Sequence, residues 1–284
     1  MGRQVDRARE KRSERSVQRS LTFLSPAKLN LFFRILGKRS DGYHEIASIF
    51  QAINLFDTLT IKVSSEDQFT CSDSNIATSD NLVVKALNLF REKTNILDKV
   101  SIHLEKHIPI GAGLGGGSSN VATCLWALKT LFDSSLKVST LMDWGAEIGS
   151  DVPFFFASGA AVCKGRGEKV EDIALPDFKG YVISPNMHVS TISVYHNVDM
   201  KQVSDIPVET LIRSFKSREP IFINDLEHAA FQVEPSLKEI KSNYHLTGSG
   251  SCFFSLKAPK NLPSSCKLFP VKSVTRSHTT WYCQ

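Results

Sequence analysis

The sequence predicts an α+β protein of two domains, and three observations lead to this prediction. Segments with strand periodicity and segments with helix periodicity are mixed along the whole chain, without an internal repeat. A chain of 284 residues, 42% hydrophobic and 22% charged, has the size of one large domain or two modest ones. The strongest boundary signal is Leu175-Pro-Asp177, which predicts a first domain over 21–175 and a second over 176–284.

The first domain opens with strand patterns and continues with a helix. Apolar residues alternate over 29–35, which predicts a strand on which Lys28 and Asn30 point the same way. Shorter strands are predicted over 58–63 and 100–104, and a helix over 81–93 is entered from Ser79 and Asp80.

A glycine-rich loop follows the strand over 100–104 and runs from Pro109 to Asn120. It holds five glycines within seven residues, and two serines follow them. Glycines let backbone N–H groups converge on an anion, and a helix that starts there directs its positive end at it. Residues 121–132 are nearly all apolar and form the predicted buried helix. The loop is therefore a predicted phosphate site.

The later elements continue the mixed pattern. A glycine-punctuated strand pair is predicted over 161–170, and strand material begins again over 181–184. Asn224 and Glu227 have the spacing of a helix cap before 228–231. A strand over 252–256 leaves a second glycine turn.

Composition and charge restrict the partners of this protein. The whole chain has a net charge of +5. Residues 1–20 hold seven basic and three acidic residues, whereas the remainder holds 27 basic and 26 acidic residues and is nearly neutral. This balance does not suggest nucleic-acid binding, and no apolar run of about eighteen residues suggests a membrane span. Residues 1–20 carry too few apolar side chains for a core, so we expect a disordered tail and neither a secretory nor an organellar signal.

The six cysteines lack the paired spacing of a zinc site or of a disulfide framework. Reduced thiols are typical of the cytoplasm, and we expect a bacterial cytoplasmic protein, either a monomer or a weak homodimer.

Two phosphate-binding motifs fit the glycine-rich loop poorly. Gly111, Gly113 and Gly116 satisfy the dinucleotide spacing, but the polar residues before Pro109 do not form the buried strand that such a fold requires. A Walker-type loop needs Gly-Lys-Ser/Thr at its end, and Gly117 stands where the lysine would be. A dinucleotide-dependent oxidoreductase is therefore a distant third hypothesis.

The pattern Pro-x-x-x-Gly-Leu-Gly-Gly-Gly-Ser-Ser over 109–119 resembles the central motif of the GHMP kinases. Residues 25–31, Asp41-Gly-Tyr-His44, 149–154 and 246–251 resemble further motifs of one member, which phosphorylates a cytidine diphosphate-linked polyol in the non-mevalonate isoprenoid pathway. These motifs follow the family's order and span most of the chain. The resemblance implies an N-terminal ribosomal-S5-like domain, a C-terminal ferredoxin-like domain and an active site between them.

The resemblance also implies a site for ATP and Mg²⁺. Asp151 is similar to the family's catalytic carboxylate and Lys28 to the lysine beside it, although a helix cap and a solvated lysine are the ordinary interpretations of these residues. Ser118 or Ser119 could reach the metal ion, and a helix N-cap is an equal alternative for them; no carboxylate matches a metal-ligand motif. Gly248 and Gly250 form a second phosphate cradle or a plain turn. The implied ATP-binding residues are Pro109, Gly111, Gly113, Leu114, Gly115, Gly116, Gly117, Ser118, Ser119, Gly248 and Gly250.

Substrate choice depends on fewer residues. The resemblance implies that Tyr43 and His44 hold the cytosine and that Asn30 contacts the polyol, since a pyrimidine offers a face for stacking and an edge for hydrogen bonds. Tyr195 is a further stacking candidate, with a strand-packing tyrosine as the alternative. The predicted activity is the ATP-dependent phosphorylation of the polyol's 2-hydroxyl. A kinase for another small alcohol and a non-catalytic nucleotide-binding protein are the rival hypotheses.

Overall fold

A computed structural model describes residues 20–133, 135–241, 244–260 and 262–282. The predicted disordered tail, apart from Ser20, and Cys283 lie outside the described residues. The described part contains two β-sheets and seven α-helices. The α+β prediction is thereby confirmed.

The first sheet has six strands, and its long hairpin carries much of the site. Its strands are β1 (Leu21–Lys38), β2 (His44–Val63), β3 (Gln68–Cys71), β4 (Val100–Glu105), β5 (Ala160–Gly165) and β6 (Lys169–Asp172). They follow the order β3-β4-β2-β5-β6, and β1 pairs with β2. All pairs are antiparallel except β3 with β4. The register of β1 against β2 shifts between Pro26 and Ala27 and again between Asn30 and Phe32, so irregular pairing flanks Lys28.

Three helices cover this sheet and share its core. They are α1 (Leu82–Thr94), α2 (Gly116–Phe132) and α3 (Val138–Ile148), and a short 3₁₀ helix spans Pro153–Phe156. Phe90, Leu125 and Phe154 are almost fully buried in one apolar cluster. The predicted buried helix exists and begins five residues earlier than its apolar run, inside the glycine-rich loop.

The second sheet has four antiparallel strands, β7 (Lys179–Ser184), β8 (His245–Leu246), β9 (Phe253–Ser255) and β10 (Lys267–Lys272), in the order β10-β7-β9-β8. Helices α4 (Thr191–His196), α5 (Val208–Lys216), α6 (Glu227–Val233) and α7 (Leu237–Lys241) lie between β7 and β8 along the chain. The strand tendency of 189–195 is overridden, because the hydroxyl of Ser190 accepts a hydrogen bond from Ser193 N and starts α4 there. The interpretation of Tyr195 as a strand-packing residue is therefore wrong.

The strands of the two sheets fall on either side of the predicted junction at 175–177, but the sheets share a core. Leu29 and Phe32 of β1 lie in one apolar cluster with Val182 of β7 and Phe254 of β9. Trp281 and Tyr282 return to the cluster of the first sheet. The domain boundary remains a prediction. No helix in the described ranges has the length and apolarity to cross a membrane.

Candidate active site

The glycine-rich loop lies against two other parts of the chain, and two of its glycines allow this closeness. Gly113 has φ +75, and a Cβ there would lie 2.4 Å from the carbonyl oxygen of Thr247. Gly115 has φ +69, and a Cβ there would lie 2.9 Å from Cγ of Lys28. Lys28 N also donates to the carbonyl oxygen of Leu114 at 2.9 Å. The loop is thus held to β1 and to the second glycine turn by contacts that a side chain would prevent.

Helix α2 starts within this loop, with Gly115 as its N-cap and no side-chain cap. The N-cap interpretation of Ser118 and Ser119 is therefore wrong, because both residues already lie in the first turn. Ser118 lines the main cavity, whereas Ser119 is fully buried, and its hydroxyl has no hydrogen-bond partner among the described residues. The N–H groups of a first helical turn have no partners within the helix, which makes this end suited to an anion.

Lys28 and Asp151 form an ion pair on the wall of the main cavity. Their Nζ and Oδ2 atoms are 3.4 Å apart, and the lysine side chain is 5% exposed against 31% for the aspartate. Lys28 Nζ also donates to Asn30 Oδ1 at 2.5 Å and lies 4.7 Å from the centre of the Phe50 ring. The ammonium of Lys28 is therefore held by several contacts, while the carboxylate of Asp151 is partly exposed to the cavity.

Asp151 does not cap a helix. The 3₁₀ helix over Pro153–Phe156 has Val152 as its N-cap and no side-chain cap. The carboxylate instead lies beside the β5–β6 turn, where a Cβ on Gly167 would be 3.3 Å from Asp151 Oδ1. The interpretation of Asp151 as a helix cap is thus wrong, and its side chain forms an ion pair with Lys28 instead.

The second glycine turn, residues 247–250, contacts the same group of residues. Asn30 N donates to Thr247 Oγ1 at 2.9 Å, and a Cβ on Gly248 would lie 3.5 Å from Lys28 Nζ. Gly248 lines the cavity, whereas Gly250 faces Leu246 behind it. Of the two predicted cradle glycines, only Gly248 reaches the site directly.

A cavity of about 690 Å³ joins these parts. The predicted residues that line it are Lys28, Pro109, Gly111, Gly113, Leu114, Gly115, Gly116, Gly117, Ser118, Asp151, Tyr195 and Gly248. Sequence reasoning missed Lys106, Arg166, His188 and the segment 75–82. Asn30 is buried behind the wall, at 1% exposure, and contacts Lys28 rather than the open space.

A buried charge cluster around Asp57 connects the residues just before the glycine-rich loop with Asn120 at its end. Asp57 is fully buried and accepts hydrogen bonds from His107 N at 2.7 Å, Ile108 N at 2.9 Å and Asn120 Nδ2 at 2.9 Å. The ammonium of Lys106 contacts the same carboxylate and donates to Asn120 Oδ1 at 3.1 Å. One carboxylate on β2 thereby ties the approach to the loop to the first turns of α2. The sequence signal for this cluster is Asp57, an acidic residue among the apolar residues of β2.

The predicted cytosine-binding residues Tyr43, His44 and Tyr195 lie close to one another. The rings of His44 and Tyr195 stack with centroids 5.5 Å apart, and the guanidinium of Arg166 lies 5.0 Å from the Tyr43 ring centre. Tyr195 and Arg166 line the cavity, whereas Tyr43, which is 55% exposed, and His44 are not among its lining residues. Burial lowers the pKa of His44, with a smaller effect from Lys38, and burial raises the pKa of the Tyr195 hydroxyl.

The cavity wall offers few oxygen donors to a metal ion. No group of three or more His, Cys, Asp or Glu side chains in the described ranges could hold a metal ion. Asp151, Asp80 and the Ser118 hydroxyl are oxygen donors on the wall. Mg²⁺ keeps several waters and binds phosphate oxygens with one or two carboxylates, so a sparse oxygen set fits it.

Comparison with known proteins gives a consistent result. Residues 81–159 match the family model described as the N-terminal domain of GHMP kinases. The chain is 43% identical to 4-diphosphocytidyl-2-C-methyl-D-erythritol kinase of Protochlamydia amoebophila, over 93% of each protein. It is 44% identical to the chloroplastic enzyme of that name from Arabidopsis thaliana, over 81% of this chain and 63% of the longer plant protein.

Solved structures agree with these relatives. A crystal structure of 4-(cytidine 5'-diphospho)-2C-methyl-D-erythritol kinase matches 90% of this chain and all of its own, with a TM-score of 0.75 and 31% identity. A homoserine kinase from Cytophaga hutchinsonii matches with a TM-score of 0.68 at 16% identity, which shows a shared fold alone.

Proposed function

The chain belongs to the family of 4-diphosphocytidyl-2-C-methyl-D-erythritol kinases, within the GHMP kinases, and we propose that it phosphorylates the 2-hydroxyl of that substrate with ATP. The products are the 2-phosphate and ADP, so the reaction belongs to the non-mevalonate route to isoprenoid precursors. The observation that carries this proposal is the Lys28–Asp151 pair, 3.4 Å apart, in the cavity that the glycine-rich loop lines.

The pair suits an in-line phosphoryl transfer. Asp151 accepts the proton of the 2-hydroxyl while that oxygen attacks the γ-phosphorus, and ADP leaves with the electrons of the broken P–O bond. Lys28, held by Asn30 and Asp151, places its positive charge where negative charge develops on the oxygens of the transferred group. Positioning and charge neutralisation account for most of the catalysis in such a reaction.

The glycine-rich loop and the first turn of α2 would bind the phosphates of ATP. Their backbone N–H groups supply donors without a bulky side chain in the way. The adenosine end would lie toward the segment 75–82, where the apolar residues Ile76 and Leu82 line the cavity.

Mg²⁺ would neutralise phosphate charge when bound, with Asp151, Asp80 and Ser118 as candidate oxygen donors on the cavity wall. Tyr43, His44 and Tyr195 remain the proposed cytosine-binding residues. A bacterial cytoplasmic location and a monomer or weak homodimer also remain proposals.

The reaction is tested by ADP release from the purified full chain with ATP and Mg²⁺. The cytidyl substrate is compared with mevalonate, homoserine and galactose. We expect turnover with the first alone. Turnover of another alcohol would keep the kinase chemistry and reject the cytidyl specificity, and no turnover with any of the four would favour a nucleotide-binding protein without catalysis.

A further inference from the structure

Ser48 is a fully buried serine on β2 to which neither the sequence motifs nor the mechanism above gives a role. It lies opposite Phe33 of β1, directly beside the place where the pairing of the two strands shifts between Asn30 and Phe32. Its hydroxyl donates to the carbonyl oxygen of Phe32 at 2.5 Å and accepts a hydrogen bond from Asn30 Nδ2 at 2.9 Å. One serine therefore connects the irregular part of β1 with the side chain that contacts Lys28.

The hydrogen bonds of Ser48 have a single direction that satisfies every atom. A serine hydroxyl has one proton, and the carbonyl oxygen of Phe32, which can only accept, takes it. The Ser48 oxygen must then accept from Asn30, so the amide nitrogen of Asn30 faces Ser48 and its amide oxygen faces Lys28. The reversed amide would place an NH₂ group against the ammonium, which has donors alone. Ser48 thereby fixes the orientation of the Asn30 amide.

The rest of Asn30 is held by the second glycine turn. Its N–H donates to Thr247 Oγ1 at 2.9 Å, and a Cβ on Gly248 would lie 3.1 Å from Asn30 Oδ1. At 1% exposure, its amide has almost no access to water as an alternative partner. The contact from Lys28 Nζ to this amide oxygen, at 2.5 Å, is shorter than the 3.4 Å ion pair of the same ammonium. The closer of the two polar contacts is thus the one that Ser48 controls.

We propose that Ser48 is a positioning residue for the phosphoryl transfer, which acts through the amide of Asn30 on the ammonium of Lys28. This inference rests on the proposed function, because the place of that ammonium matters for turnover only if its pair with Asp151 transfers a phosphoryl group. Ser48 is not among the residues that line the main cavity, so its effect is on where the positive charge lies. A displacement of about 1 Å can lower a rate by about a hundredfold.

The test measures kcat and the KM values for ATP and for the cytidyl substrate in the native full chain, Ser48→Ala, Asn30→Ala, the double variant and Ser214→Ala. We expect Ser48→Ala to lower kcat by about 10- to 100-fold and to leave both KM values within about threefold. The ammonium then loses its fixed place, whereas the residues that line the cavity are unchanged.

Ser214 is the matched control, because its buried hydroxyl also joins a carbonyl and an N–H group. It donates to Leu211 O at 2.7 Å and accepts from Ile221 N at 3.1 Å, on α5 and outside the main cavity. Ser214→Ala should lower the melting temperature and leave kcat unchanged, which separates a loss of stability from a loss of positioning. If Ser48→Ala does not fold, Ser48→Cys takes its place, since a thiol fills the space and forms only weak hydrogen bonds.

The double variant identifies the route through Asn30. If Ser48 acts through that amide, its removal has no further effect once Asn30 is replaced, so the double variant should match the kcat of Asn30→Ala within about twofold. Multiplied effects of the two substitutions would overturn this route. A native kcat in Ser48→Ala, or a loss confined to the KM values, would overturn the proposal while leaving the proposed function intact. An inactive native chain would instead overturn the proposed function, and the role of Ser48 with it.

Discussion

Lys28 is the residue through which three parts of the site are connected. Its backbone N–H binds the glycine-rich loop, its ammonium contacts Asn30 and Asp151, and its stem touches Gly115. A lysine this buried is uncommon, because its charge must be compensated. Here the compensation comes from Asn30 and Asp151, and Asp151 is the proton acceptor of the proposed reaction.

Removal of either member of the proposed catalytic pair, Lys28 and Asp151, should reduce turnover rather than nucleotide binding. We expect Lys28→Ala and Asp151→Asn to lower kcat by about a hundred- to ten-thousand-fold, because the proton acceptor or the charge beside it is lost. ATP affinity, measured by calorimetry, should stay within a few-fold. Lys62→Ala, which removes an exposed lysine on β2, is the control. Near-native turnover in either variant would remove that residue from the mechanism.

His245 makes the stability of the second sheet depend on pH. Its ring stacks on Phe222 at 4.0 Å, and burial, with a smaller effect from Lys241, lowers its pKa from 6.5 to about 4. The unfolded chain therefore takes up this proton at a higher pH than the folded chain. The contribution of His245 to stability is complete above about pH 6.5 and is lost as the pH falls toward 4.

His245→Phe keeps the stack on Phe222 and removes the titration. We expect urea unfolding at pH 7 and pH 5 to show a smaller fall in the free energy of unfolding for this variant than for the native chain. His44, whose pKa is also lowered, remains in both proteins and contributes equally to each. An equal fall in the two proteins would show that the protonation of His245 does not destabilise the fold.

At the scale of elements, the turn over 247–250 depends on one side chain. Asn224 Nδ2 donates to the carbonyl oxygens of Leu246 at 2.9 Å and Gly248 at 2.8 Å, while its Oδ1 accepts from Leu226 N at 2.9 Å. The residue thus joins the start of α6 to the turn that lines the cavity beside Lys28.

Asn224→Asp should disturb this turn selectively. The variant keeps the acceptor for Leu226 N, removes both donors and sets a carboxylate oxygen against two carbonyl oxygens. We expect a loss of about 1–3 kcal/mol in the free energy of unfolding, together with a higher KM for ATP, because Gly248 is displaced. Asn88→Asp makes the same chemical change on the exposed face of α1 and should have little effect. A native KM for ATP in Asn224→Asp would argue that this turn does not contact the nucleotide.

Elements with a local pattern could be predicted from the sequence, and elements set by distant contacts could not. The apolar run over 121–132 and the glycines before it define α2 within one segment. The segment 189–195 has strand-forming residues, but it forms helix α4 because the Ser190 side chain caps its first turn. Register shifts in β1 follow from its partner strand and have no sequence signal of their own.

The site follows the same division. Lys28, Asp151 and the loop lie in recognisable motifs, so their meeting at one cavity could be predicted. Lys106 and Arg166 become parts of the site only because β2 pairs with β4 on one side and with β5 on the other. No periodicity in a single segment contains that information.

At the scale of the whole molecule, the segment over 274–282 connects the two sheets. Arg276 is buried, and its guanidinium carbon lies 4.9 Å from the centre of the Trp126 ring and 4.9 Å from that of Trp281. It donates to the carbonyl oxygens of Phe156 at 3.0 Å and Ala157 at 3.2 Å, just after the turn that carries Asp151. Arg276 thus fixes the backbone that follows Asp151.

Arg276→Ala should destabilise the whole molecule. The variant loses three hydrogen bonds, the third to Thr280 O at 3.0 Å, and leaves a space beside two aromatic rings. We expect the free energy of unfolding to fall by about 3–5 kcal/mol in urea titrations. Lys272→Ala, an exposed cation on β10, should change it by less than about 0.5 kcal/mol. A similarly small change for Arg276→Ala would show that the segment is not fastened by this residue.

The indole N–H of Trp281 donates to the carbonyl oxygen of Leu24 at 2.8 Å, across 257 positions of sequence. Closure of a flexible loop of that length costs about 5 kcal/mol in chain entropy before any contact compensates it. We therefore expect this hydrogen bond to form late, after both sheets have shortened the path between its ends. Contacts of such long range slow folding, and refolding should proceed through a species in which the first sheet exists and its aromatic cluster is still incomplete.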